Sequence, residues 1–526
     1  MEEQRYSYIT VEVGGIQRYI FATGKLKEMI GASQIIYSVT TSLLEAVASK
    51  CGLERVENAP AKGDNWFLVL QDNAGALRIL VANEHKAKAF LLAFSDMVQA
   101  NYPGLPIFAT LVTGVAWSTA GLQLARQEAS KAIARKRASS PVTEGMPLQP
   151  FAIAARLDGL PAVAVDNNDA AISLLSKAKR SQPLLDAATD RLKRQFDASL
   201  AKQLGEGINI AWSDDFTELC KGSERARIAL IHMDGNDLGK LFQKKSEAPN
   251  GMQKEVSQVV RDMRVLSRLV QKSCEQALCD ALSDTVRQDA FTRKRTSGTY
   301  MVPVRPLLMG GDDITLIVRA DLALTFVDAF VAHFEKTTSS LGEPLSIGVG
   351  MVIMPASYPF VKAYTLVEEL IENAKKCTAH TTANRPSSID YLVLTGDVEA
   401  NLRNLRKRIY TANDGSKLIC KPYILSQGWY QQFREEALDV LHRLPRSHTR
   451  AALESCRIGK ASAKEAYMKL LENLNRKIGG RHDQKLMEAD RLQAIFGKDN
   501  FFDGDGCTKL TDFIELASYM KEGDHA

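Results

Sequence analysis

Along the chain, apolar and polar positions fall into two successive series of strand-like and helix-like segments. In the later series, the run IALIHM (Ile228–Met233) is apolar throughout, as expected for a strand covered on both faces. A helical pattern then extends to about residue 283, followed by an apolar strand ending at Met309, a tight turn, and a second apolar strand from Ile314. A helix from about Leu322 to Ser340, the strand SIGVGMVIM (Ser346–Met354) and a helix from about Phe360 to Cys377 complete the series. The order is β-α-β-β-α-β plus one helix, the ferredoxin-like split βαβ arrangement. Its first strand is central and lies beside the hairpin, so the end of that strand and the hairpin tip meet on one edge.

The N-terminal third repeats this pattern. YSYITVEVGGIQRYIF sets an alternating strand before Gly14, Gly15 and a helical run, as IALIHMDGNDLGKLF does later. Lys62-Gly63-Asp64-Asn65 precedes the apolar run WFLVL, as Gly310-Gly311-Asp312-Asp313 precedes ITLIV. A strand (about Pro106 to Trp117) and a helix (about Ser118 to Lys136) close the first copy in the same order. Aligned in this way, Gly14 stands where Asp234 stands and Asn65 where Asp313 stands. The first copy then lacks two of three carboxylates and is not expected to hold a metal pair.

Candidate chemistry concentrates in the second copy. Gly310 and Gly311 let the backbone take positive φ and let another molecule approach, while Asp312 and Asp313 offer hard oxygen ligands. Gly and Asp are also ordinary hairpin residues. Two carboxylates about 4 Å apart nevertheless repel by roughly 4 kcal/mol at an effective dielectric near 20, which a cation would offset. Asp234, at the carboxyl end of its strand, supplies a third acid. Gly235, Asn236 and Asp237 lie where a helix begins, a position whose free amides suit phosphate. Capping of that helix by Asn236 or Asp237 is an equally good reading of those two residues. Three acids from two elements suit two magnesium or manganese ions about 3.5–4 Å apart, the arrangement that activates a 3′-hydroxyl and stabilises a leaving pyrophosphate. This is the chemistry of a polymerase or cyclase palm.

Met233-Asp234-Gly235-Asn236-Asp237-Leu238-Gly239, Leu308-Met309-Gly310-Gly311-Asp312-Asp313, Gly348-Val349-Gly350 and Ala374-Lys375 together resemble the catalytic palm of the large polymerase/cyclase subunit of type III CRISPR effector complexes. They are more distantly similar to GGDEF diguanylate cyclases and class III adenylyl cyclases. The resemblance implies synthesis of 3′–5′-linked cyclic oligonucleotides, usually from ATP, as second messengers in antiviral signalling. It also implies that Asp234, Asp312 and Asp313 are catalytic metal ligands, that Gly310 and Gly311 line the nucleotide, and that Lys375 approaches the triphosphate. Lys376 is the adjacent candidate, and a solvated helix lysine is the plain alternative for either. Pairing one catalytic palm with one that only binds nucleotide, through Asp64, would bring an acceptor hydroxyl to the donor phosphate.

The fold class expected is α+β, with two ferredoxin-like palm domains, a helical linker domain and a C-terminal helical bundle. The boundaries expected are 1–140 for the degenerate palm, 141–227 for the mostly helical linker, 228–398 for the acid-bearing palm and 399–526 for the C-terminal domain. Members of the resembled family commonly carry a zinc ribbon between the palms, but Pro147–Val165 contains no cysteine, so structural zinc is not expected. Many members also begin with an HD nuclease. Here the first palm starts near residue 6 and the only His-Asp pair, His482-Asp483, reads as a loop.

Composition adds little. The 526 residues are 45% hydrophobic and 25% charged with a net charge of +5, which does not demand nucleic acid. Basic runs at Arg135-Lys136-Arg137, Arg293-Lys294-Arg295 and Arg403 with Arg406-Lys407-Arg408 are candidate RNA contacts or plain solvated faces. The eight cysteines form no CxxC pair, no leader is visible, and no apolar run is long enough to span a membrane, so a cytoplasmic protein is expected. Asp503-Gly504-Asp505-Gly506 lacks the EF-hand Gly and Glu and reads as a turn, and no GxxxxGK[ST] loop occurs. Expected partners are ATP or another NTP, with RNA and other effector subunits, or a second copy of the chain. A synthase of cyclic dinucleotides or another NTP-derived messenger, and a non-enzymatic RNA-binding scaffold, are the alternatives.

Overall fold

In the computed structural model, the described residues are 5–59, 61, 63–73, 75–139, 151–205, 207–220, 226–241, 255–293, 298–339, 345–381, 385–394, 396, 401–425, 429–443, 446–477, 492–496 and 500–519. Lys62, Lys294, Arg295 and the His482-Asp483 pair lie outside them.

Two mixed sheets form the two palms. The first contains β1 (Arg5–Val13), β2 (Glu54–Val56), β3 (Trp66–Asn73), β4 (Ala76–Val81) and β5 (Ile107–Ala116) in the order β2-β3-β4-β1-β5. The second contains β9 (Arg227–Gly235), β11 (Val304–Gly310), β12 (Asp313–Arg319), β13 (Ile347–Pro355), β14 (Ser387–Val393) and β15 (Tyr423–Leu425) in the order β11-β12-β9-β13-β14-β15. In each, the first strand of the motif lies between the third and the fourth, as the split βαβ topology requires. The second sheet is the more thoroughly buried: all nine residues of β13 except Pro355, and seven of seven in β14, are buried. That burial is the reason its strands read as continuous apolar runs.

Helices Val256–Arg293 and Ala323–Thr338 pack on each other, while helix Phe360–Thr378 packs on β13 and β14. Gly350 sets that last approach, because a Cβ there would lie 2.5 Å from the Val367 carbonyl oxygen and 2.9 Å from the Ile371 nitrogen. Both obstacles are backbone, so Gly350→Ala should cost about 1–3 kcal/mol. Urea unfolding of the variant checks this, and an unchanged midpoint would contradict the packing account.

The linker departs in part from the mostly helical expectation. Helices Leu174–Lys179, Gln182–Leu192 and Ala198–Leu204 are present, but β6 (Ala162–Val165) pairs with β7 (Ala171–Ser173), and β8 (Ile208–Ala211) pairs in parallel with β10 (Gly298–Met301). The C-terminal region holds helices Leu402–Ile409, Trp429–Arg443, Arg446–Ile458, Lys460–Lys477 and Leu510–Leu516. It also lends β15 to the second palm's sheet, so the two are continuous through hydrogen bonds. The buried Lys421 strengthens that join: its ammonium is 2.8 Å from Glu515 and lies over the Tyr391 ring of β14. The helix Leu26–Thr40 of the first palm packs against β3 of its own sheet and β11 of the other. The Phe21 ring meets Tyr364 with centroids 4.2 Å apart.

The 503–506 segment is the expected turn, with Asp503 Oδ1 accepting from the Asp505 and Cys507 amides. All eight cysteines are free. Among the described residues no helix is long and apolar enough to cross a membrane.

Candidate active site

β9 and the β11–β12 hairpin bring the three acids to one edge. Ile314 pairs with Met233 across β12 and β9, so the next position sets Asp313 beside Asp234. Gly310 pairs with Asp313 across the turn, and Gly311 takes φ 72, a conformation open to glycine at little cost. Asp312 folds back over Gly235, where an added Cβ would come within 2.8 Å of Asp312 Oδ2.

The electrostatics are those of crowded acids. Burial, with the Asp234 charge next in size, pushes Asp312 up to about 6. Burial, Asp234 and Asp312 together push Asp313 up to about 7. Asp313 Oδ1 is buried with no hydrogen-bond partner, and His232 Nδ1 lies 3.5 Å from it. His232 cannot supply the missing charge near neutrality, because burial holds it at about 4. It bonds instead to Thr315 Oγ1 at 2.9 Å. An unsatisfied carboxylate oxygen beside two further acids fits a hard divalent cation. Among the described residues no group of three acid, His or Cys side chains forms a ready-made metal cage.

Lys375 explains part of that. Its ammonium hydrogen-bonds Asp234 Oδ2 and donates to the Gly235 carbonyl at 3.1 Å. It reaches them by lying across Gly348, where a Cβ would meet Lys375 Cγ at 2.6 Å. Lys376 points away and pairs with Glu372 at 3.2 Å, which leaves Lys375 as the site lysine.

The turn after β9 is more structural than the sequence suggests. Asn236 is 4% exposed, and its amide group donates to Ser346 Oγ at 3.0 Å, tying the turn to the start of β13. Asp237 takes φ 57 and bonds Lys240 at 2.8 Å, with Arg385 at 3.5 Å. Lys240 first, and then Arg385, hold its carboxyl below the usual range. Sequence reasoning missed two residues here. His232 shares a strand face with Asp234, a period-two signal that could have found it. Arg385 donates to the Lys375 carbonyl and to Thr378 Oγ1 as well as facing Asp237, and no local pattern announces it.

The first palm requires a correction. WFLVL is β3, the second strand of its motif, whereas ITLIV is β12, the third. The true counterpart of the Gly310–Asp313 turn is therefore the one between Asn73 and Ala76, which pair with each other and flank Gly75. Asp64 lies at the far end of β3, where its Oδ2 accepts from Asn83 Nδ2 at 3.2 Å. Gly14 is not the counterpart of Asp234 either. Glu12 pairs with Ala76 and Val11 with Leu77, which sets Glu12 at that place. The left-handed residues then coincide, Gly15 at φ 54 with Asp237 at φ 57. Glu12 is held by Arg137 at 2.7 Å and Arg78 at 3.4 Å. One acid between two guanidinium groups, with Gly75 and Ala76 in place of the tip aspartates, offers none of the three-acid arrangement of the second palm.

Of the basic runs, Arg137 is exposed but paired with Glu12, Lys136 donates to the Ala109 carbonyl at 2.6 Å, and Arg406 pairs with the buried Asp390.

The fold is a pair of ferredoxin-like palms, one with three acids at its edge and one whose single acid there is paired with two arginines. Residues 227–383 match the family of the Cas10/Cmr2 second palm domain. In structure the chain is similar to Csm1 in T. onnurineus, with a TM-score of 0.55 and 14% identity over 99% of this chain and 70% of that one. It is also similar to the Csm1–Csm4 cassette in complex with one ATP, at TM-score 0.52 and 14% identity over 99% and 70% of the respective chains. The same cassette in complex with cA4 gives TM-score 0.52 and 14% identity over 98% and 70%. No curated protein is similar to the chain in sequence. Residues 227–383 thus carry a palm domain of the Cas10/Cmr2 type, and the likeness of the rest of the chain to these structures is one of fold.

Proposed function

We propose that the second palm joins nucleoside triphosphates, ATP foremost, through 3′–5′ bonds into cyclic oligonucleotides that serve as messengers in a type III CRISPR response. The observation that carries this reading is the trio Asp234, Asp312 and Asp313 on one sheet edge, with a buried Asp313 oxygen left without a partner. The Cas10/Cmr2 match over that palm supports it, as do the solved cassettes of the same fold that hold ATP and cA4.

Magnesium or manganese, two ions held by Asp234, Asp312 and Asp313, would activate the attacking 3′-hydroxyl and offset charge on the leaving pyrophosphate. The chain's own residues do the rest. The Gly310–Gly311 turn, without side chains, admits the nucleotide close to the backbone. Lys375 supplies a cation beside Asp234 for the triphosphate once it leaves that carboxylate. Arg385 ties the end of its helix to the turn at Asp237. The first palm, unable to hold a metal pair, serves by presenting the acceptor. An effector subunit such as the Csm4 of the cassettes, and RNA, are the partners this role calls for.

Purified chain incubated with each labelled NTP and Mg²⁺ or Mn²⁺, with and without RNA, tests the reading. ATP-derived cyclic product and pyrophosphate are expected, and both should vanish in Asp312→Ala with Asp313→Ala. Turnover of GTP alone would move the assignment to a different messenger. Absence of pyrophosphate under every condition would leave a scaffold.

A further inference from the structure

Arg305 lies on β11, five residues before Gly310, and is 1% exposed. A buried guanidinium normally meets a carboxylate or a set of carbonyls. Here Nε and Nη1 are buried with no hydrogen-bond partner. The acid whose charge reaches it, Asp214, is half-exposed and sits 3.7 Å from Lys27. Burial draws the group down to about 10, so it remains a cation at neutral pH.

A second guanidinium serves the same junction. Arg191, on helix Gln182–Leu192, lies over the Tyr37 ring at 4.4 Å, and its Nε is also buried and unpartnered. Its charge is among the influences that lower Arg305, which sets the two groups within electrostatic reach of each other. Helix Leu26–Thr40 joins them, since it packs against both helix Gln182–Leu192 and β11. On that helix Gln34, one turn before Tyr37, is 7% exposed, with Oε1 unpartnered. Gln195, just beyond Arg191, has a buried and unpartnered Oε1 as well.

Water could satisfy these hydrogen bonds but would leave two like charges neighbouring in a medium of low dielectric. An oxyanion supplies acceptors and countercharge together, and guanidinium forks match its geometry. Either glutamine amide can turn its NH₂ toward such a guest, since oxygen and nitrogen occupy nearly equivalent places.

We propose that the junction of the first palm, the linker and β11 binds a small oxyanion of the phosphate class between the Arg305 and Arg191 guanidinium groups. Free phosphate and pyrophosphate are the smallest guests of this class that two guanidinium groups can share. The site involves none of the three acids, and it stands whether or not the second palm turns over nucleotides.

Thermal unfolding of the full chain at constant ionic strength in chloride, with added inorganic phosphate, pyrophosphate or sulfate, tests it. Phosphate or pyrophosphate should raise the wild-type midpoint by several degrees, as a ligand specific to the folded state does. Whichever of the two gives the larger rise identifies the guest. Arg305→Met should unfold at a higher temperature than wild type without anion, because it removes an uncompensated buried charge, and should lose the anion response. Lys375→Ala should keep the response, which separates the junction from the acid-bearing site. Should Arg305→Met not fold, Arg191→Met carries the test and should weaken the response several-fold. An equal response in wild type and either arginine variant overturns the proposal. So does the absence of any response in wild type, or an experimental structure with water alone between the two groups.

Discussion

Replacing both tip acids, as Asp312→Asn with Asp313→Asn, should stop nucleotide turnover by on the order of 10³-fold or more and also make the metal-free protein more stable. The loss of turnover follows because metal-assisted charge stabilisation is worth several kcal/mol, and each 1.36 kcal/mol is about tenfold in rate. The gain in stability follows from the sign of the shifts. Both acids titrate above their ordinary range when folded, at about 6 and about 7, so between pH 4 and 7 the folded state binds more protons than the unfolded one. Stability from these groups is therefore highest below pH 4 and is lost as pH rises to about 7. The gain in the double variant should grow over that window, level off above it, and reach about 1–3 kcal/mol after allowance for partial solvent access. Chelator-treated protein unfolded at several pH values checks this. A variant less stable than wild type at pH 8 would show that the acids are not in conflict. Added Mn²⁺ should stabilise wild type more at pH 8 than at pH 6, because ligation needs the ionised carboxylates.

Lys375→Ala should separate two things that removal of an acid cannot. The ammonium occupies Asp234 directly, so it competes with any cation for that carboxylate. Its loss should tighten Mn²⁺ binding by roughly tenfold, the equivalent of about 1.4 kcal/mol. The same variant should bind NTP more weakly by on the order of tenfold, since a cation for the triphosphate is gone. Mn²⁺ titration followed by electron paramagnetic resonance measures the first, and KM the second. Weaker Mn²⁺ binding in the variant would mean that Lys375 supports the metal site rather than competing with it.

The second palm was legible because its strands are covered on both faces and therefore announce themselves as apolar runs, with the acids at their ends. Asp234, Asp312 and Asp313 meet because the topology leaves them one edge to share. In the first palm, Gly63-Asp64 before WFLVL imitates the tip in sequence, but it precedes the second strand of the motif rather than the third. Its real tip, ending in Gly75 and Ala76, carries no acid to draw attention, and Glu12 sits inside an alternating strand as an ordinary polar position. The start of the helix at Asn236 reads equally as an open set of amides for phosphate and as a cap, whereas in the fold both its backbone N–H and its side-chain amide donate to Ser346. Lys375, the lysine the resemblance implies, reaches Asp234 across the bare surface of Gly348, while Arg385 is brought in by the tertiary fold alone.

Glu12 between Arg78 and Arg137 also bears on how the two halves diverged. Restoring a metal pair there would require acids at positions 75 and 76 together with the removal of two arginines, and each intermediate along that route strands a charge. No single mutation leads back to symmetry. Under the proposed function, a chain of nucleotides held between the halves would therefore be extended from the acid-bearing side only.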